Sequence, residues 1–561
     1  MSPASSCRAR ARRRTRHVLV RNATTSGNGP HTNEQLAATT LCAMITTLCT
    51  NFRDPYRRRA VAARMGGKMI GLGLVVAAIY AFTWYFSTHA GASVVSQAAV
   101  KASDVINPLN TVWVLVTAFL VFFMQAGFMM LEGGFARTRE TSNIMIECII
   151  DTALCGILFY AFGFAFMFGP GNGWIGYHYF FLQGVPHTYG TTGVAFMAFF
   201  LFQFAFADTA STIVSGAMVG RTAFKGDLLY SIAVSGFIYP IFGHWIWGPN
   251  GWLATMDTPF RDFAGSTVVH TIGGVLAICG AVALGPRLGR KFKRDGGGMP
   301  PGHNMTLAAL GGVILWFGWY GFNPGSTLSA MDMEGIGRIA TNTTLAACAG
   351  ALVAVAWVYP RSKKFDVGIS INGLLAGLVA ITCPCYWVSP TGSIIIGAIA
   401  GAVVVIAVDV TEWVRVDDPC GAFAVHGACG IWGTLSLGLF AVGNYGLPGA
   451  SGADTSGGRV TGLLYGGGTD QLLAQVKGSA TIVACTAAAG LLVMYGLKAI
   501  RMLRVSEAGE LEGLDIHEHG APAYHPEPAY EGYSPIPAGV SPRNGGGAPV
   551  REPEMVLSDA E

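Results

Sequence analysis

The sequence predicts an all-α polytopic membrane protein with eleven transmembrane helices, the first ten of which form a five-plus-five inverted repeat. Three observations support this fold class. Only 12% of the 561 residues are charged and 52% are hydrophobic, whereas soluble domains have about 25% charged residues. Apolar runs of about 20 residues, the length at which a helix spans a bilayer, recur along the chain. One histidine-containing pattern occurs twice, five predicted spans apart.

The N-terminal region divides into two parts before the predicted membrane domain begins. Residues 1–68 are rich in arginine and show no sustained hydrophobic period, which favours a disordered leader or a mis-called start. Residues 69–92 contain an apolar run behind a basic stretch and end in Ala90-Gly91-Ala92. This order is typical of a cleavable signal peptide, and without cleavage the same run is an additional anchor helix.

The predicted membrane domain occupies residues 109–500, and its orientation follows from the charge of its loops. The loops after odd-numbered spans are basic, whereas the loops after even-numbered spans carry only scattered charge. Because basic loops stay in the cytoplasm, the mature N-terminus is predicted to lie outside the cell membrane and the C-terminus inside. The predicted spans are 109–132, 143–169, 193–218, 228–247, 264–284, 304–322, 338–358, 368–387, 392–413, 423–443 and 477–500.

The repeated pattern reads D-x-x-G-x-x-x-V-H-x-x-x-G in both copies. Each copy is typical of a helix start, because an aspartate can cap free backbone N–H groups. In the second copy, Pro419 is predicted at the first helical position, where its missing donor costs nothing. The matched residues are Asp262, Gly265, Val269, His270 and Gly274 in the first copy, and Asp418, Gly421, Val425, His426 and Gly430 in the second.

The two histidines of the pattern are the candidate functional residues. Each is predicted to lie eight residues, or about 12 Å, along an apolar helix. Since span five runs inward and span ten outward, His270 and His426 approach from opposite faces of a core about 30 Å thick, and their side chains can meet. An intramembrane ionisable residue usually marks a pathway; the alternative is two packed histidines bonded to backbone. A metal site needs three or four ligands, so no metal or cofactor is expected.

Other motifs accompany the two histidine patterns between residues 109 and 520. Span three contains Phe202-Gln-Phe-Ala-Phe206, and span six ends in Gly318-Trp-Tyr-Gly-Phe-Asn-Pro-Gly-Ser326. The second histidine pattern is preceded by a further acid, as Asp417-Asp-Pro-Cys. In this combination and order, the chain resembles the ammonium transporter family, which includes methylammonium permeases and Rhesus proteins.

The resemblance implies an outer site that recruits ammonium and a gate below it. Phe202, Trp247 and Ser326 match the recruitment site, and Phe206 with Phe322 matches the gate. Aromatic ring faces attract a small cation by about 0.5–2 kcal/mol each. A serine hydroxyl accepts a hydrogen bond that ammonium donates and potassium cannot.

The resemblance also implies a hydrophobic central pore lined by His270 and His426. Because a bare cation is costly in a dry pore, ammonium is expected to lose its proton at the mouth and pass the gate as ammonia. The proton either travels separately through the histidine pair, which makes transport electrogenic, or stays outside, as in a gas channel. Asp262 and Asp418 are expected to be structural and to orient the backbone; the alternative for Asp262 is direct contact with the cation.

Two residues depart from the family pattern. Asp208 follows the gate residue Phe206 by two positions, about 200° of helix rotation, and is therefore predicted to face a neighbouring span. A carboxylate in that place needs a partner or a proton. Gly421 replaces an acidic residue that many relatives carry, which weakens the case for charge at the inner mouth.

The resemblance implies a homotrimer in the lipid bilayer that takes ammonium or methylammonium and binds a cytoplasmic PII signal protein. Residues 501–561 are predicted to form a cytoplasmic tail that is mostly disordered. A transporter is favoured over an ammonium sensor because this tail is too short for a kinase or cyclase domain. An enzyme is disfavoured because no nucleophile or phosphate loop accompanies the histidines, and nucleic-acid binding is not expected.

Overall fold

The computed structural model describes residues 102–447 and 458–524, with side chains from residue 105 onward. The predicted leader (1–68), the predicted signal peptide or anchor (69–92) and residues 525–561 of the predicted tail lie outside these ranges. The membrane domain expected at 109–500 is therefore described except for ten residues in the loop before the last span.

Ten helices in the described ranges are long and apolar enough to cross a membrane, and a further apolar helix is shorter. The chain is therefore an all-α polytopic membrane protein, as its composition and apolar runs predict. In chain order the helices are α1 (Val105–Phe135), α2 (Thr138–Phe168), α3 (Phe196–Ser215), α4 (Phe224–Trp247), α5 (Ser266–Leu284), α6 (Met305–Gly325), α7 (Met333–Ser362), α8 (Val367–Thr382), α9 (Pro390–Trp413), α10 (Phe423–Phe440) and α11 (Asp470–Ala499).

Helix α8 is shorter than the span predicted at 368–387. Pro384 follows its last residue closely and has no N–H group with which to continue the helix. Instead, the Trp387 N–H donates to the Pro384 carbonyl at 2.9 Å and closes a turn. With 16 residues, α8 is about 24 Å long, which is less than the thickness of a bilayer core. The count of eleven full spans is therefore not confirmed.

Four of the helices contain a stretch of wider, π-helical turns. These turns interrupt α2 at Phe159–Gly163 and α4 at Val234–Ile238, and they form the starts of α5 (Ser266–Thr271) and α10 (Phe423–Ala428). Turns of this kind are frequent at functional sites. The two stretches that begin helices carry the repeated histidines.

Glycines allow α5 and α10 to approach each other closely. A Cβ atom added at Gly274 of α5 would lie 2.2 Å from the backbone nitrogen of Gly427 in α10. No side chain fits at that distance, so the crossing requires glycine. Gly427 follows His426 directly, and Gly274 lies one turn beyond His270, so this crossing sets the separation of the two histidines.

A short hairpin covers the beginning of α3. Strand β1 (Thr188–Tyr189) pairs antiparallel with β2 (Val194–Ala195), with Thr188 opposite Ala195. The Tyr189 ring stacks on Phe199 of α3 at 3.6 Å between centroids. Isolated 3₁₀ turns elsewhere in the loops are Phe180–Leu182, Lys293–Asp295 and Leu463–Tyr465.

The outer faces of the helices carry exposed apolar side chains. Leu352 of α7 and Leu492 of α11 are 72% and 77% exposed. Extended apolar surface of this kind is unusual on a soluble monomer and is expected where helices face lipid. The exposed faces therefore agree with a multi-pass membrane protein.

The described part of the C-terminal tail, residues 501–524, packs against the beginnings of α2 and α4. It contains two short helices, α12 (Glu507–Glu512) and α13 (Leu514–His517). Arg504 forms an isolated β-bridge with Thr222, just before α4. Asp515 Oδ1 accepts the backbone N–H of Asn143 in α2 at 2.8 Å. Both contacts fix this segment to the membrane domain.

A buried ion-pair network joins the loop after α5 to the loop before α10. Arg287 Nε donates to Asp417 Oδ2 at 2.8 Å, and Arg290 Nε donates to Asp417 Oδ1 at 3.1 Å. Arg290 also pairs with Glu412. Burial by itself raises the pKa of Asp417, but the Arg287 hydrogen bond and the charge of Arg221 outweigh burial and hold that pKa well below its ordinary range.

Candidate functional site

The first histidine pattern folds into a capped turn followed by the π-helical start of α5. Asp262 Oδ1 accepts the backbone N–H groups of Gly265 and Ser266, each at 3.0 Å. Oδ2 accepts those of Thr267 and Val268 at 2.8 and 2.9 Å. These bonds satisfy donors that a helix leaves unpaired at its start. Burial raises the pKa of Asp262, and the four N–H groups oppose that shift.

The second pattern uses its aspartate in the same way, but its helix begins later than predicted. Asp418 accepts the backbone N–H groups of Ala422 and Phe423, both at 2.9 Å, and burial raises its pKa to about 6. The prediction for Pro419 is wrong: this residue lies in the turn before the helix, because α10 begins at Phe423. Gly421 forms the turn with a φ of +72°, a conformation that glycine adopts without strain.

The predicted position of the histidines along their helices also differs from the structure. Both aspartates lie in turns, so His270 is the fifth residue of α5 and His426 is the fourth residue of α10. Each histidine is therefore about 4–6 Å from the start of its helix instead of about 12 Å. The rings meet because α5 and α10 cross closely at Gly274 and Gly427.

The two imidazole rings contact each other inside the membrane domain. Nδ1 of His270 lies 3.2 Å from Nδ1 of His426, with the ring centroids 5.2 Å apart. In such a contact one nitrogen donates the proton that the other accepts. His270 is fully buried, and its Nε2 has no hydrogen-bond partner among the described residues. The pair therefore holds one proton between its facing nitrogens.

Aromatic rings enclose His270. Trp319 and Phe322 of α6 lie 5.1 and 5.4 Å from its ring centroid, at interplanar angles of 19° and 26°. Trp319 Nε1 donates to Thr382 Oγ1 at 2.9 Å, which fixes the indole. The Trp319 and Phe322 ring centroids are 5.7 Å apart, so the two rings pack side by side against the imidazole.

The two phenylalanines predicted as a gate stack on each other. The ring centroids of Phe206 and Phe322 are 4.0 Å apart, with an interplanar angle of 21°. Both side chains are at most 1% exposed. Because Phe322 also stacks on His270, the phenylalanine pair separates the histidines from the space beyond Phe206.

That space is a pocket of about 290 Å³, named the outer pocket after the side of the membrane predicted for it. It is lined by all three residues predicted to recruit ammonium, Phe202, Trp247 and Ser326. Trp247 Nε1 donates to the Asp262 carbonyl at 2.7 Å, which orients the indole. Ser326 Oγ donates to the Phe322 carbonyl at 2.9 Å. Since the hydroxyl proton is used in that bond, the oxygen lone pairs remain as acceptors.

Two cavities follow on the other side of the histidine pair. His426 lines one of about 20 Å³ together with Glu132 and Asn372, and a volume of that size holds about one water molecule. Asn372 and Cys420 also line a second, larger cavity of about 390 Å³. The outer pocket, the phenylalanine stack, the histidine pair and these cavities are thus linked by successive contacts.

Four further buried carboxyl groups lie in α1, α2 and α4 without an ion-pair partner among the described residues. They are Glu132 of α1, Glu147 and Asp151 of α2, and Asp227 of α4, each at most 3% exposed. An ionisable residue within an apolar run is the signal that could have found them. The same signal, an ionisable residue within an apolar run, does identify Asp208 of α3. Its side chain faces Gln125 of α1 and Thr152 of α2.

The fold and the site define a class: a multi-span helical membrane protein with an aromatic outer pocket and a buried histidine pair behind a stacked gate. A profile of the Ammonium Transporter Family matches residues 112–524. The chain belongs to the ammonium transporter family.

Curated relatives extend over most of the chain. Ammonium transporter Amt2 of Archaeoglobus fulgidus is 44% identical over 427 residues, which cover 74% of this chain and 88% of the relative. Ammonium transporter 1 member 3 of Solanum lycopersicum is 37% identical over 441 residues, which cover 75% of this chain and 94% of the relative. Members of this family are transporters, in agreement with the expectation that the chain is not an enzyme.

Solved structures show the same fold. A protein described as Sensor Amt Protein superposes with a TM-score of 0.67 at 35% identity, covering 74% of this chain and 99% of that chain. Mep2 of Saccharomyces cerevisiae superposes with a TM-score of 0.65 at 25% identity, covering 73% of this chain and 92% of that chain.

Proposed function

We propose that the chain carries ammonium across the cell membrane by binding NH₄⁺ in the outer pocket, releasing its proton and passing NH₃ through the phenylalanine gate. One observation carries this proposal: ring contacts run without a break from Trp247 through Phe206 and Phe322 to His270 and His426. A buried, apolar passage that ends at two imidazoles suits a small neutral molecule and a separate proton.

Recruitment is assigned to Phe202, Trp247 and Ser326. The two aromatic rings attract a small cation by about 0.5–2 kcal/mol each, whether it is ammonium or potassium. The Ser326 oxygen distinguishes the two, because its own proton is bonded to the Phe322 carbonyl and it therefore accepts a bond that only ammonium donates.

The gate is assigned to Phe206 and Phe322. Rings whose centroids are 4.0 Å apart are in van der Waals contact, so they have to move before any solute passes. A desolvated cation costs several kcal/mol even after relaxation of the protein. Neutral ammonia avoids that cost, which is the physical reason for deprotonation above the gate.

The histidine pair is proposed to relay the released proton. The 3.2 Å separation of the two Nδ1 atoms supports transfer from one ring to the other, and transport is then electrogenic. The alternative is a gas channel, in which the proton stays outside and the pair serves only to line the passage.

Asp262 and Asp418 are assigned orienting roles at the starts of α5 and α10. Each oxygen of Asp262 already accepts two backbone N–H groups, which supports a structural role over direct contact with the cation. Asp262 also lines the outer pocket, so its cap holds the pocket wall in place.

The assembly and orientation in the membrane are part of the same proposal. The basic loop after α5 is placed in the cytoplasm together with the tail, and the mature N-terminus is placed outside. The functional unit is proposed to be a homotrimer, and the cytoplasmic face is proposed to bind a PII signal protein.

A second candidate function is ammonium sensing through a cytoplasmic partner. It is favoured by the likeness to the protein described as Sensor Amt Protein, at 35% identity. A sensor would bind ammonium in the same outer pocket without carrying a substantial flux.

Uptake of radiolabelled methylammonium by a transport-deficient strain, with K⁺ in large excess, tests the proposal. We expect saturable uptake that ammonium inhibits and K⁺ does not. Expression of the chain without any uptake, accompanied by ammonium-dependent signalling, would establish the sensor instead. Uptake that K⁺ inhibits as strongly as ammonium would contradict the role assigned to Ser326.

A further inference from the structure

Five carboxyl groups lie buried among α1 to α4, away from the ring-lined passage. They are Glu132, Glu147, Asp151, Asp208 and Asp227, none more than 3% exposed. No lysine, arginine or histidine in the described ranges forms an ion pair with any of them. Buried carboxylates without a cation are costly, so this group of acids has to share protons or water.

Glu132 connects the five acids to the passage. It lines the 20 Å³ cavity that also contains His426, and one water molecule fits there. Its Oε2 accepts a hydrogen bond from Ser215 Oγ at 2.9 Å, which orients the carboxyl group. A single water in this cavity can therefore bond to the imidazole and to the carboxyl group at once.

Behind Glu132 the other four acids follow one another. Asp227 lies close enough to interact electrostatically with Glu132, Glu147 and Asp151, and Asp151 interacts with Asp208. The carboxyl groups of Asp151 and Asp227 also face each other directly.

Polar side chains around these acids lack partners in the described ranges. Gln125 Nε2 and Ser231 Oγ are buried and unbonded, as are both carboxyl oxygens of Asp151 and Asp208. Gln125 faces Asp208, and Ser231 faces Asp151. Polar side chains thus lie beside the acids, and groups of this kind can bond to a carboxyl group and take part in proton transfer.

The acids extend to the side of the membrane domain where the tail packs. Glu147 faces the Asn143 side chain, whose Oδ1 lies 2.8 Å from Nε2 of the partly exposed His519. The other titratable groups that face the acids are Cys148, Cys155, Cys420 and Tyr230. Glu140, which is paired with Arg137, lies at the edge.

We propose that Glu132 accepts the proton that leaves the histidine pair, and that the carboxyl groups behind it carry the proton towards the tail. This inference rests on the proposed function and deepens it. An N–H bond of His426 breaks as its proton passes to the cavity water, and that water gives another proton to a Glu132 carboxylate oxygen. His426 becomes neutral, the water is regenerated, and Glu132 is a neutral acid. Glu132 ionises again when it passes its proton to Asp227 or Glu147.

The test compares two quantities in proteoliposomes of the full chain, the current after an ammonium jump and the uptake of radiolabelled methylammonium. Glu132→Gln keeps the size and the hydrogen bonds of the side chain but cannot relay a proton. We expect its current to fall at least about tenfold, since a positioned proton acceptor contributes about 10²–10⁴-fold in rate, while uptake under a pH gradient persists. Glu132→Asp should restore part of the current.

Glu334→Gln, at an exposed carboxyl group on α7, which holds none of the five acids, serves as the matched control and should change neither quantity. An infrared C=O band of a carboxylic acid that appears after an ammonium jump in the wild type and not in Glu132→Gln provides a readout independent of the current. A wild-type ratio of current to uptake in Glu132→Gln overturns the inference. A folded Glu132→Gln variant that loses both the current and the uptake also overturns the inference, because Glu132 would then be needed for the passage of ammonia itself. If the unaltered protein takes up methylammonium without any current, the inference is also overturned. If the unaltered protein shows no uptake, the proposed function is overturned instead.

Discussion

The Ser326 hydroxyl offers a direct test of how the outer pocket separates ammonium from potassium. In Ser326→Ala the pocket keeps its rings and its shape and loses one acceptor. A hydrogen bond to a charged group contributes about 1.5–3 kcal/mol, and each 1.4 kcal/mol is a factor of ten. The apparent affinity for ammonium should therefore fall about 10- to 150-fold. K⁺ should fail to inhibit uptake in the variant as it does in the wild type, because K⁺ donates no hydrogen bond to the hydroxyl oxygen.

The affinity is best measured as the KM for methylammonium uptake in proteoliposomes, with NH₄⁺ and K⁺ as competing ions. The variant also loses the bond from Ser326 Oγ to the Phe322 carbonyl, which costs about 0.5–1.5 kcal/mol of stability. A thermal unfolding scan of the same preparation shows whether the protein remains folded under the assay conditions.

Thr344→Val is the matched control, because it also deletes one hydroxyl group from a helix. The Thr344 hydroxyl bonds to Tyr320 at 2.7 Å and does not line the outer pocket. Its KM should match that of the wild type. An unchanged KM in Ser326→Ala, or an equal rise in both variants, would refute the assignment of Ser326 as the acceptor for ammonium.

Two further predictions concern the histidine pair and the buried ion pair. Replacing His270 or His426 singly with Glu should retain current because a carboxyl group still carries a proton, whereas Ala should reduce the current about 100-fold or more; equal currents in Glu and Ala variants would exclude a relay. Arg287→Met should destabilise the fold by about 3–5 kcal/mol, since Asp417 loses a buried partner. Folding lowers the Asp417 pKa, so the stability from this pair is complete above about pH 4 and is lost as the pH falls towards the folded pKa. Unfolding scans below pH 4 should show this loss in the wild type and a smaller loss in Arg287→Met, in which Arg290 still pairs with Asp417.

The spans could be predicted because a bilayer imposes one length and one composition on every crossing helix. Each predicted span overlaps an observed helix, and some helices begin several residues earlier at polar residues, as α11 does at Asp470. Only α8 fails the length criterion, because the apolar residues after Thr382 continue the hydrophobic run while Pro384 ends the helix. Hydropathy does not distinguish an apolar turn from an apolar helix, so this end could not be predicted.

The residues of the candidate site could be predicted from motifs, but their geometry could not. The rings of His270 and His426 do lie in contact, and their role in transport stays a prediction. The pattern suggested helices that start at the aspartates, whereas turns with glycine at positive φ intervene. An aspartate caps backbone N–H groups whether the helix starts directly after it or after an intervening turn, so the sequence could not decide between the two arrangements.

The buried acids show a different limit of motif-based prediction. Glu132, Glu147, Asp151 and Asp227 lie on three helices, and each one alone is a single charge in an apolar run. Their significance depends on being packed together beside the inner cavity, which is a tertiary property. This property exists only in the folded chain and is absent from the sequence pattern of each helix.

The contact between the two histidines determines at which nitrogens a relayed proton can enter and leave the pair. Both rings use Nδ1 for their mutual contact, so a proton enters His270 at Nε2 and leaves His426 at Nε2. After one passage both rings hold their protons on the opposite nitrogens and have to be reset before the next. Rotation of the His270 ring is hindered because the Trp319 and Phe322 rings pack against it and the side chain is fully buried. A proton that shifts back along the Nδ1–Nδ1 bond needs a proton supplied at His426 Nε2 and another lost from His270 Nε2, which reverses the passage and gives no net transfer. The reset therefore requires the rings to turn, and this rotation is expected to limit the rate of the relay.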